Sequence, residues 1–148
     1  MKMEWKRQTF HGGFTMVELM AVIVIIGLLA GVVAINVIGK IDKARVTSTK
    51  ANLKILHSAV NNFKMDTGVY PSEEAGLIEL VEQPMDVTGW DPSGYLETTD
   101  IPKDAWGNEF IYQRPTDTGK PFVIISYGAD GEEGGEDYDK DLYSTDAD

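Results

Sequence analysis

Residues 19–38 form an uncharged apolar run of twenty residues with Asn36 as its only strongly polar member. At 1.5 Å per residue a helix of that length spans about 30 Å, the thickness of a bilayer's hydrocarbon core. Glu18 stands at the head of the run. An ionised carboxylate at the edge of a span is costly to bury and persists where an opposite charge meets it.

The residues just before the run suggest one source for that opposite charge, if the chain is cut there. The stretch Gly13-Phe14-Thr15-Met16-Val17-Glu18 follows a short basic leader. Cutting after Gly13 creates an amino group on Phe14, one helical turn from Glu18. A secretory signal is cut after its apolar region at small residues, whereas here the Gly pair precedes it, so the apolar segment stays on the mature chain. The pattern suggests a filament subunit; a signal-anchor protein with Glu18 at headgroup level is the plain alternative.

Gly-Phe-Thr-x-x-Glu followed by an apolar helix resembles the processing site of type IV pilins and of the pseudopilins of type II secretion. The resemblance implies that residues 1–13 are a leader removed by a prepilin peptidase. It also implies that Phe14 becomes the N-methylated terminus, and that Glu18 acts with Phe14 in assembly.

Removing residues 1–13 leaves 135 of 148, and residues 40–148 suffice for one small domain. The leader carries Lys2, Lys6, Arg7 and Glu4, a net of +2, so the mature chain would stand at −13 against −11 for the whole. A basic leader stays on the cytoplasmic side, which puts the remainder beyond the inner membrane. A chain this acidic repels phosphates, and without a basic patch interleaved with aromatics it is not expected to bind nucleic acid. It contains no Cys, so disulfides and thiolate chemistry are excluded.

Beyond the apolar run, Val46, Thr49, Leu53, Leu56, Val60 and Phe63 recur at spacings of three and four, an apolar stripe on one helix face. One continuous helix is expected from about Thr15 to about Asp66, roughly 75 Å long. Its first half would be membrane or filament core and its second half one wall of a head. Gly27 and Gly31 permit close helix approach in the first half, or are simply tolerated there. Thr67-Gly68 supplies the stop.

Ser72 followed by Glu73 and Glu74 reads as the start of a second short helix with Leu77, Ile78, Leu80 and Val81 on its buried side. Residues 85–104 read as a long irregular loop with Trp90, Tyr95 and Leu96 as anchors. Residues 109–113 and 122–127 are β-prone and separated by turn residues, an antiparallel pair that can pack on the helix stripe. The expected fold is α+β: a long N-terminal helix packed on a small antiparallel sheet.

Three stretches sharpen the resemblance. They are residues 66–71 (Asp-Thr-Gly-Val-Tyr-Pro) with residues 74–77, residues 101–108 ending Asp104-Ala105-Trp106-Gly107-Asn108, and residues 126–131 with Gly134 and Gly135. Together they resemble the major pseudopilins of type II secretion, in which the chain departs only by Ala105 in place of Pro. The Trp106 indole is expected to be buried. The resemblance implies the main subunit of a secretion pseudopilus that helps move proteins across the outer membrane. Its implied partners are copies of itself, minor pseudopilins, the prepilin peptidase and an inner-membrane assembly platform. A type IV pilin or minor pseudopilin, and a membrane-anchored module that never polymerises, are the alternatives.

From Asp130 to the end there are nine acidic residues and one Lys, broken by Gly131, Gly134 and Gly135. Such density suits Ca²⁺, which takes six to eight oxygen ligands in flexible geometry, although the spacing is not that of an EF-hand. The resemblance implies a structural Ca²⁺ held by the Tyr127 carbonyl, Asp130, Asp137 and Asp139, with Asp141 a weaker candidate. A solvated acidic tail is the alternative. His11 falls in the leader and His57 is expected on the surface, so no His pair serves zinc or a nucleophile. Gly128-x-x-Gly131-x-x-Gly134 lacks the spacing of a dinucleotide loop. No enzyme is expected.

Overall fold

The computed structural model describes residues 13–115 and 119–146, with the side chains of residues 34–38 outside the description. The chain falls into two compact units that divide between Gly39 and Lys40. A single helix, α1, runs from Met16–Thr67 and contributes to both.

In the first unit every residue of α1 up to Val33 is exposed. The window Met16–Val33 is long and apolar enough to cross a membrane, and none of it is buried within the chain. In the second unit the sequence pattern changes from uniformly apolar to a stripe, and burial follows it. Leu53, Leu56, Val60 and Phe63 are fully buried, as is Thr49, while Val46 is half-buried.

Across the stripe lies a three-stranded antiparallel sheet in the order β1 (Ile111–Gln113), β2 (Val123–Ser126), β3 (Leu142–Tyr143). Tyr112 pairs with Ile124, and Ile125 with Tyr143. Phe110, Tyr112, Phe122 and Ile124 join the helix residues, Leu77 and Leu80 in one core. Tyr112 is anchored by its hydroxyl, which donates to the Pro71 carbonyl at 3.1 Å, and burial pushes that phenol up to about 12.

The second helix is shorter and tighter than expected: a 3₁₀ helix, η1, over Gly76–Leu80. Three residues per turn align Leu77 with Leu80, both buried, and leave Ile78 exposed and Val81 half-buried. Glu79 is buried in their stead, because Ser72 donates to its carboxylate from Oγ at 2.5 Å and from N–H at 3.3 Å. Ser72 still caps the preceding turn by accepting the Ala75 N–H.

The loop before β1 is irregular, and Trp90, Tyr95 and Leu96 pack on the core as anchors. Trp106 is half-buried rather than buried, because what the turn inserts is a carboxylate. Asp104 is 5% exposed and accepts from Trp106 N–H, Asn108 N–H and Ser126 Oγ, while Thr49 Oγ1 receives the Ala105 N–H. This joins α1, the turn and β2 at one point.

Candidate functional site

Two places carry the residues singled out in the sequence: the head of α1 and the acidic loop between β2 and β3. At the first, Gly13, Phe14 and Thr15 precede the helix without regular structure, and Phe14 is 80% exposed. Thr15 donates to Glu18 Oε2 from N–H at 3.0 Å and from Oγ1 at 3.1 Å, and the Glu18 N–H returns to Thr15 Oγ1 at 3.2 Å. This reciprocal pair is a capping box, and its signature Thr-x-x-Glu stood in the sequence as a helix-start signal. Glu18 therefore does local work at the helix head, and the site remains open because its neighbours are exposed. Residues 1–12, the rest of the expected leader, lie outside the described residues.

The acidic loop, residues 127–141, is folded. Gly128 adopts a left-handed φ of 68°, and a Cβ there would meet the Asp139 carbonyl at 2.7 Å, so the loop closes on its own backbone at a point only Gly fits. The Ala129 N–H donates to the Tyr138 carbonyl, and Asn108 Nδ2 reaches the Gly128 carbonyl at 2.9 Å. Asp137 is the one non-Gly residue among the described residues with positive φ, at 54°.

Asp141 is buried, accepting the Gly134 N–H and the Tyr143 hydroxyl, each at 3.1 Å. Both its oxygens serve the loop's own structure. Asp130, Asp137 and Asp139 are exposed, Asp130 Oδ1 accepting the Glu132 N–H. Tyr127 is half-exposed at the end of β2. The four positions expected to hold Ca²⁺ thus share one closed loop whose donors are oxygens, the chemistry that ion takes. Among the described residues no three acidic or His side chains are gathered at metal-ligand spacing. The loop presents the donors without drawing them together.

What sequence reasoning missed is His57. It is half-buried, not on the surface: Nδ1 lies 3.2 Å from Ser144 Oγ and the ring lies on Phe122 with centroids 4.6 Å apart. Burial lowers its pKa, and Lys120 lowers it further. The Ser144 hydroxyl also accepts the Ile124 N–H at 3.0 Å, which ties the His57 ring to β2.

An exposed apolar helix with a capped Glu at its head defines a membrane-anchored class, and residues 10–34 match the prokaryotic N-terminal methylation motif. Residues 36–145 match the family described as type II secretion system (T2SS), protein G. Type II secretion system core protein G of Pseudomonas aeruginosa is 41% identical over 135 residues, covering 89% of this chain and 93% of that one. The protein of the same name in Vibrio cholerae is 37% identical, covering 93% of each. The major pseudopilin from the type 2 secretion system of enterohaemorrhagic Escherichia coli superposes with a TM-score of 0.60 at 29% identity, covering 71% of this chain and 86% of that one. This chain belongs to the type II secretion system protein G family.

Proposed function

We propose that this chain is the major structural subunit of a type II secretion pseudopilus. The observation that carries the reading is one helix with two unlike halves. The first, behind a processing motif, has apolar sides that none of the described residues covers. The second is locked into a head that matches a major pseudopilin.

After cleavage between Gly13 and Phe14, the apolar half sits in the inner membrane as a single span with the head in the periplasm. On polymerisation it exchanges lipid for the apolar sides of neighbouring copies. The new Phe14 amine and the Glu18 carboxylate pair between subunits, and each pair neutralises charge that would be costly in an apolar filament core. The prepilin peptidase, the minor pseudopilins and an inner-membrane assembly platform are the partners this role requires. The chain itself does mechanical work and no catalysis, and takes no part in nucleic-acid binding.

Ca²⁺ would be held by the Tyr127 carbonyl, Asp130, Asp137 and Asp139, and would supply the charge that lets these exposed carboxylates close on one another. Asp141, the weaker candidate, already orders the loop through the Gly134 N–H and the Tyr143 hydroxyl.

The processing reading is tested by the mass of the amino-terminal peptide of the protein taken from native membranes. A peptide starting at Phe14 and one methyl group heavier is expected; an unprocessed amino terminus overturns the reading. The ion is tested by calorimetric titration of the chelator-treated protein with Ca²⁺. Saturable binding lost in Asp137→Ala and Asp139→Ala is expected, and no binding heat overturns it.

A further inference from the structure

On a strongly acidic chain, one open cavity of about 550 Å³ is lined by Lys54 and Lys120 together with His57, Ser58, Pro121 and the nearly buried Phe122. No carboxylate lines it among the described residues. Elsewhere on the head the turn Pro84-Met85-Asp86-Val87 closes with the Val87 N–H on the Pro84 carbonyl, and Val87 packs against the core. That anchor holds Met85 outward, fully exposed at 104%. Glu82 and Asp86, both exposed, flank it. A tip between two carboxylates is complementary in charge to a hollow that carries two lysines and no carboxylate.

We propose that in the filament the Met85 turn of one copy docks into the Lys54–Phe122 cavity of a second copy. This rests on the filament reading above. Met85 meets the exposed Pro121 with a flexible, polarizable side chain suited to an irregular hollow. Glu82 and Asp86 meet Lys54 and Lys120, and this charge match fixes orientation. Within a filament the contact is heterologous: the turn of each copy enters the cavity of the next, each end keeps a free turn or a free cavity, and such contacts propagate instead of closing a dimer. The 3₁₀ helix and the 82–100 loop, otherwise unexplained by the helix-driven assembly, thereby acquire a purpose at the filament surface.

The chain has no Cys, so an introduced pair reports without background. Full-length protein carrying Ser58→Cys and Met85→Cys is assembled in membranes and mildly oxidised, beside each single variant. The expected result is a ladder of covalent multimers from the double variant only. In parallel, Lys54→Glu should lower filament yield about tenfold and Lys54→Glu with Asp86→Lys should restore it, as a coupled charge pair requires. Filaments that form without a ladder, with Lys54→Glu neutral, would overturn the docking and leave the filament reading standing. Absence of filaments from the unmodified chain would overturn both.

Discussion

The two halves of α1 share a backbone and differ in what covers them. From Met16 to Val33 the large apolar side chains are between 46% and 84% exposed, whereas Leu53, Leu56, Val60 and Phe63 are 0% exposed. Uniform hydrophobicity finds no partner among the described residues, and a stripe finds a sheet. One element thus carries two solvents' worth of instruction: its first half is written for lipid or for neighbouring copies, and its second half for this chain's own core.

That contrast breaks most readily at Phe63, which is fully buried against Tyr95 and the sheet. Phe63→Ala should lower head stability in urea by about 3–5 kcal/mol. Leu29→Ala, an apolar truncation at an exposed position, should leave the same unfolding curve in place. Asp104 comes next: Asp104→Ala orphans the Trp106 and Asn108 amides and the Ser126 hydroxyl, with an expected cost of about 2–3 kcal/mol measured the same way.

His57 sharpens the comparison through pH. Its pKa is lowered in the folded head by burial and by Lys120, so the unfolded chain binds the proton more readily. The stability it supports is therefore complete above its unfolded pKa of about 6.5 and is lost as pH falls through the lowered folded value. A thermal melt between pH 7 and 5 should show this loss, and His57→Gln should flatten it. The smallest effect is at Ser72, where Ser72→Ala removes a cap and one donor to Glu79 and should cost about 1 kcal/mol.

Much of this was legible beforehand where the signal is local and periodic. The stripe from Thr49 to Phe63, the uncovered span, the loop anchors and the pairing of β1 with β2 all follow from spacing and turn residues. What escaped depends on partners distant in sequence. β3 is two residues long inside an acidic stretch and exists because Ile125 and Ser126 offer an edge. Asp104 is buried only because Ser126, twenty-two positions on, donates to it. His57 is drawn in by Phe122 and Ser144, 87 positions away. The box between Thr15 and Glu18 was different, since its spacing was visible and was read only as an assembly signal.

Under the proposed function, Glu18 at the head of α1 serves assembly and the head folds without it. The most direct measurement compares wild type with Glu18→Ala for filament formation in membranes and for head unfolding in urea. Loss of filaments at an unchanged unfolding midpoint is the expected result. Filaments of normal yield from Glu18→Ala would contradict the account.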